Sequence, residues 1–305
     1  MFRTAFAIIG AATVVACAQG STGAAEVIAK IEVGQGPCAA TFTEGAVWAS
    51  VFRTNEVVRI DPATNAVTNR LSVDGGPCGI TVGAGSVWLM TNTGNTVQRI
   101  DPATSRVVAT IPVGVGPYDV LFAFGAVWVT NFGDGTIHRI DPARNRVVRR
   151  IRIIGQPAGL AATTSALWVG DSFGRSIVRI NPRTSRVVRR VQTGGRAPEW
   201  LASRGRFVWA SNRLAGSVAK IDERRNRRVA LIRRVGTWPV DAGIVAGSLW
   251  VPNQRSNTIA RIDLARNRVV ERIPVGRGPF VVPDHPTELW VGSFGGTDIW
   301  RIRPS

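Results

Sequence analysis

The sequence predicts an all-β fold, a seven-bladed β-propeller with four antiparallel strands per blade, from three markers that recur in phase along 305 residues. A proline closing a V-G-x-G-P-type turn falls at Pro37, Pro77, Pro117, Pro157, Pro198, Pro239 and Pro279. A tryptophan follows at Trp48, Trp88, Trp128, Trp168, Trp209, Trp250 and Trp290. The isoleucine of an R-I-D-type element follows at Ile60, Ile100, Ile140, Ile180, Ile221, Ile262 and Ile302. Each series steps by 40 or 41 residues, the length of one propeller blade.

The copy at Ile111–Asp141 shows how one blade is built. Tyr118–Phe124 is an apolar strand that Gly125 ends, and Ala126–Thr130 is a second strand carrying Trp128. Asn131–Gly135 is polar and reads as a loop before a third strand, Thr136–Ile140. Asp141-Pro142-Ala143-Arg144-Asn145 is a turn, because Asp bonds the backbone ahead of it and Pro presets the next φ. Arg146–Ile153 is the fourth strand. Ala126-Val127-Trp128-Val129 is apolar on both parities, as a sheet covered on both faces requires. The tryptophan is then the bulk that fills the wedge between blades.

The two ends of the repeat array predict a closed ring. Glu26–Val33 matches the fourth-strand pattern of Val269–Val275, and the last Gly-Pro turn is followed by only three strands. The N-terminal strand therefore completes the last blade and leaves no open edge.

Residues 1–24 stand outside the repeat and read as an export signal. Arg3 is a basic start, Ala5–Ala16 is an apolar run too short to span a membrane, and small residues follow. Val14-Val15-Ala16-Cys17 has the form of a bacterial lipobox, in which Cys17 would carry lipid; Ala16-Cys17-Ala18 also suits ordinary cleavage. The expected organisation is a signal over 1–24 and a propeller over 25–305, placed in the periplasm or lipid-anchored at the cell envelope. Cys38 and Cys78 follow the Gly-Pro turn in adjacent blades. They form either a disulfide or a pair of buried thiols.

In this architecture the Gly-Pro turns share one face with the loops between the second and third strands, and the Asp-Pro turns lie on the other. The Gly-Pro face offers Tyr118, Asp119, Glu199, Trp200, Asp241 and Phe280 beside the two cysteines. Its loops add Asn131, Asp171, Asn212 and Asn253. A concave mouth of carboxylates, amides and aromatic rings is the expected ligand site, for a protein, peptide or small molecule. Asp119, Glu199 and Asp241 together would suit a divalent cation, since hard cations take oxygen ligands. No other cofactor is expected.

Charge points to a second surface. There are 38 Lys+Arg against 20 Asp+Glu, a formal net charge of +18, and Lys30 and Lys220 are the only lysines. Arginines crowd the Asp-Pro side and outer rim from Arg144 to Arg272, which suits either a solvated edge or an anionic envelope surface. Nucleic acid is not an expected partner, because no reading motif accompanies the charge. A monomer is expected. His138 lies within a third strand and His285 on the side away from the mouth. Neither is paired with a nucleophile, and no phosphate loop is present.

Trp128-Val129-Thr130-Asn131, with looser copies at Trp209–Asn212 and Trp250–Asn253 and the Arg99–Thr104 segment, resembles the YVTN family of β-propeller repeats. That resemblance covers residues 26–302 and implies an exported or surface protein. The Gly-Pro, aromatic and Arg-Ile rhythm is also similar to the streptogramin B (virginiamycin B) lyases, seven-bladed propellers that open a cyclic depsipeptide by metal-assisted elimination. That family places a catalytic histidine after the Gly-Pro turn of a late blade; here the position holds Glu199, Val240 or Phe280. Its acidic strand ends are Asn131, Asp171, Asn212, Asn253 and Ser293 here, of which only Asp171 is acidic. The expected function is a binding or scaffold module. The alternative is a lyase-like or lactonase-like metal-dependent enzyme at the channel mouth.

Overall fold

A computed structural model describes residues 25–305; the export-signal and Cys17 readings lie outside them. Seven antiparallel sheets stand around a central channel. Blade 3 runs outward through Pro117–Ala123, Ala126–Asn131, Thr136–Asp141 and Arg146–Arg152. Blades 1, 2, 4 and 5 repeat this order from Pro37, Pro77, Pro157 and Pro198.

Blades 6 and 7 keep the plan with irregular inner strands. In blade 6 the inner strand shortens to Gly243–Val245, with an isolated bridge from Pro239 to Asn253. In blade 7 the inner segment is held by Pro279 opposite Ser293 and by Phe280 N–H donating to Gly292 O at 3.0 Å. Pro239, Pro283 and Pro286 fall in these stretches, and Pro252 stands opposite the first of them in the second strand. Proline brings no N–H to the ladder, which is why pairing is interrupted there.

Ring closure follows the sequence reading. Glu26–Glu32 pairs antiparallel with Asp298–Arg303, so the first strand of the array is the outermost strand of blade 7.

The core is a set of wedges between blades, not a single centre. The seven repeat tryptophans are each 2 % exposed or less. Trp128 of blade 3 packs with Leu160, Leu167 and Val169 of blade 4, and Trp290 of blade 7 packs with Val47, Ala49 and Val51 of blade 1. Five of the indoles donate Nε1–H to an acceptor five residues back, as Trp128 does to Ala123 O at 3.1 Å.

A polar latch runs between blades on the Asp-Pro face. The third-strand Arg99 lies 5.2 Å from the Trp88 ring and donates to Pro142 O and Asn145 Oδ1 of the next blade at 3.0 and 3.1 Å. Arg179 reaches Asn226 Oδ1 at 2.7 Å, and Arg301 reaches Asn65 Oδ1 at 2.7 Å. Lys220 does the same to Leu264 O at 2.9 Å. Each asparagine holds a positive φ at the end of its turn, where Asn is better tolerated than most residues.

Candidate functional site

Seven aromatic rings form one unbroken run across the Gly-Pro face. Phe173 lies 6.2 Å from Phe132, Phe132 stacks on Tyr118 at 5.2 Å, and Tyr118 meets Trp200 at 5.1 Å. Trp200 meets Phe280 edge-on at 5.2 Å, Phe280 lies 5.4 Å from Phe294, and Phe294 lies 5.9 Å from Phe52. The first position after the Gly-Pro turn supplies Tyr118 and Phe280, the second supplies Trp200, and the loops between second and third strands supply the rest. Phe173 is 77 % exposed, so the run extends from the channel onto the open face. Phe52, Tyr118, Trp200, Phe280, Phe294 and Met90 enclose an apolar cup of 170 Å³ above the channel.

Cys38 and Cys78 are joined as a disulfide, with Cα atoms 5.1 Å apart. The bridge, Trp200 and Phe280 line both this cup and a lower chamber of 320 Å³. They separate the two along the channel axis.

Glu199 belongs to the upper side. Its carboxylate accepts Ser172 Oγ–H at 2.5 Å, lies 2.7 Å from Arg213 Nε and stands 3.5 Å from Tyr118 Oη. Burial and the neighbouring Glu199 charge hold the Tyr118 phenol far above its ordinary range. Two glycines make room for this cluster: a Cβ at Gly159 or Gly170 would come within 2.6 Å of Glu199 O. Arg213 also lies over the Trp238 ring at 4.7 Å, and Arg255 lies over the same ring at 3.3 Å.

Asp119 and Asp241 line the lower chamber instead. Asp119 accepts Leu160 N–H at 2.7 Å and Val120 N–H at 2.8 Å; Asp241 accepts Val282 N–H at 3.2 Å. Removal from water raises their pKa to about 7 and about 8, and the charge of Asp119 adds to the rise at Asp241. Neither has a basic partner among the described residues.

The expectation that Asp119, Glu199 and Asp241 converge on a cation needs correction. Glu199 is bound to Arg213 and Ser172 on the other side of the aromatic septum, and no group of three His, Cys, Asp or Glu among the described residues is placed to hold a metal.

The four loop residues lie away from the mouth. Asn131, Asn212 and Asn253 are fully buried, and Asp171 is 4 % exposed. Asn131 accepts Gly114 N–H at 3.1 Å and donates to Thr136 at 3.0 Å; Asn212 donates to Ser217, and Asn253 to Thr258. Asp171 accepts Gln156 and Gly174 N–H and pairs with Arg190 at 3.1 Å. Each partner five residues on is a hydroxyl, and that spacing is the sequence signal for a turn clamp. Ser172, which the sequence reading passed over, carries no such signal.

Searches with the sequence match no family model and no curated protein. The fold is shared with solved structures. A histidine-to-alanine, catalytically inactive virginiamycin B lyase from Staphylococcus aureus with quinupristin superposes with a TM-score of 0.79 at 16 % identity, over 91 % of this chain and 99 % of that one. A streptogramin B lyase gives 0.78 at 16 % identity over 91 % and 97 %. Hydrazine synthase from Kuenenia stuttgartiensis gives 0.78 at 17 % identity over 94 % and 99 %. At these identities the likeness is one of fold, and this chain is a seven-bladed propeller with lyase-type neighbours.

Proposed function

We propose that this chain is an exported propeller serving as a binding or scaffold module at the bacterial cell envelope, with its ligand seated on the Gly-Pro face. The observation that carries this reading is the run of seven rings from Phe173 to Phe52. Such a run offers flat, apolar, pre-ordered contact area, the kind that anchors a protein, peptide or small-molecule ligand. Glu199 and Arg213 fix one polar pair beside it, giving orientation. The Cys38–Cys78 bridge fits an oxidising compartment, as the signal-like N-terminus does.

The test compares retention of envelope components by the immobilised full chain and by a Phe132→Ala/Phe173→Ala variant. A component held by the first and lost by the second supports the reading. Equal recovery by both would move the surface elsewhere, and cell fractionation that leaves the chain in the cytoplasm would remove the export half of it.

A second reading, a lyase or lactonase, is favoured by the two streptogramin lyase neighbours. It predicts that the chain linearises quinupristin and that a chelator stops it. Quinupristin recovered intact with Mg²⁺ present would dismiss that activity.

A further inference from the structure

The Asp-Pro turns are near-copies of one another, so a turn that departs from the pattern marks local specialisation. The first, third and sixth turns read Asp61-Pro62-Ala63-Thr64-Asn65, Asp141-Pro142-Ala143-Arg144-Asn145 and Asp263-Leu264-Ala265-Arg266-Asn267. The turn of blade 4 reads Asn181-Pro182-Arg183-Thr184-Ser185. Asp has become Asn, Ala has become Arg, and the latch asparagine has become Ser. The first two changes move charge in the positive direction, and the third removes the acceptor that an incoming arginine uses.

That incoming arginine is Arg139 of blade 3. It sits 5.5 Å from the Trp128 ring, the same station from which Arg99 and Arg301 latch onto the next blade. Its buried Nε has no hydrogen-bond partner, and neither has Ser185 Oγ. Arg139 therefore holds a charge that the fold does not satisfy. The junction opens into a cleft of 600 Å³ lined by Arg139, Arg179, Arg183, Thr164, Ser165 and Asn181. Glu223, which pairs with Arg179 at 3.0 Å, cancels one of the three guanidinium charges. Arg149 stands beside Arg139 on the adjoining strand and Arg189 beside Arg179, extending the positive field outward.

We propose that this cleft between blades 3 and 4 is a binding site for a phosphate group. Two uncompensated guanidinium groups match a doubly charged oxyanion, their planar forks give paired donors, and the Thr164 hydroxyl adds another, while Ser165 Oγ–H is already given to Glu223. The cleft is larger than a bare ion, so the phosphate would carry an attached group, either a soluble ester or a lipid headgroup. The junction of blades 1 and 2 is the internal contrast. Arg59 there also lacks a partner at Nε, and Ser105 also replaces the asparagine, but Asp101 and Ala103 are kept, so no anion site is assembled.

Restoring the repeat pattern tests the proposal without threatening the fold. Inorganic phosphate is titrated into the full chain by calorimetry, and its effect on thermal unfolding is followed, against chloride at matched ionic strength. The wild type is expected to bind and to melt higher with phosphate. Arg183→Ala is expected to weaken binding by about tenfold or more, the loss of one charge-assisted pair. Asn181→Asp/Ser185→Asn is expected to lose phosphate binding and to melt higher without phosphate, since Arg139 then finds its latch. Flotation with phosphatidate vesicles separates the sources: co-flotation that the double variant abolishes identifies a lipid headgroup, and phosphate binding without it a soluble ester. No binding by the wild type, or equal protection of wild type and double variant, overturns the proposal.

Discussion

Arg301 Nη1 lies 2.7 Å from Asn65 Oδ1, joining the last blade of the ring to the first across 236 residues of sequence. The same arginine pairs with Glu288 at 2.8 Å and lies 5.1 Å from the Trp290 ring, so it is held by two neighbours of its own blade before it reaches across. A pre-ordered guanidinium loses little entropy on bonding, and its hydrogen bonds to carbonyl oxygens are charge-assisted.

This latch predicts a stabilising substitution. Ser105 ends its turn at φ 54°, a conformation that Asn adopts more readily than Ser, and faces the unlatched Arg59. Ser105→Asn is expected to raise unfolding free energy by about 1 kcal/mol, the net value of one hydrogen bond with some backbone relief. Denaturant titration reads this directly; a midpoint that stays still or falls would mean that Arg59 is held differently from Arg301.

The wedge packing predicts the opposite sign at Trp128. It is fully buried against blade 4, and truncation to Ala leaves a cavity that two rigid sheets cannot close. Trp128→Ala is expected to cost about 3–5 kcal/mol. A melting temperature within a degree or two of wild type would refute its place as the filler between blades.

The disulfide predicts a redox effect on stability. Cys38 and Cys78 are 40 residues apart in sequence and tie the inner strands of blades 1 and 2 at the septum of the channel. Replacing both by Ala is expected to lower stability by about 2–4 kcal/mol. Reductant should then destabilise the wild type and leave the double variant unchanged; equal sensitivity of the two would place the effect elsewhere.

The sequence announced the blades because their markers obey backbone rules that repeat: a proline at strand entry, an indole at the wedge, an Asp-Pro turn. Closure by Glu26–Glu32 was legible for the same reason. The polar strand ends were not. Asn131 reads as facing a ligand because an amide at a strand end suits either role; the hydroxyl five residues on, Thr136, is the one local sign that it clamps its own turn. Glu199 and Asp119 also read alike, each within two residues of a Gly-Pro-type turn. One position's difference sends the first to Arg213 and Ser172 above the septum and the second into the chamber below. Partners drawn from different blades carry no local spacing, so the sequence cannot show them.

The chamber below the septum gives the last prediction, a loss of stability as pH rises through neutrality. An aspartate in the unfolded chain ionises near pH 4. Folded, Asp119 is pushed up to about 7 and Asp241 to about 8 by burial in the channel wall. Between pH 4 and 8 the folded chain therefore binds more protons than the unfolded one, and stability falls as pH rises, by at most about 1.4 kcal/mol per pH unit for each proton. Burial holds His138 and His285 below the usual histidine range, and they act in the opposite direction up to about pH 6.5. The exposed turn carboxylates Asp61, Asp101, Asp141 and Asp263 are held low by their own turns and titrate only in acid. Burial also raises Asp284, which lines the same chamber and acts in the same direction, so the window from about pH 6.5 to 8 reports the chamber carboxyls Asp119, Asp241 and Asp284. Asp241→Asn keeps an acceptor for Val282 N–H and removes one titrating group, so its stability should decline less steeply there than that of the wild type. Parallel curves for the two proteins across that window would show that Asp241 is ionised in the folded ring and that the chamber is wetter than its walls imply.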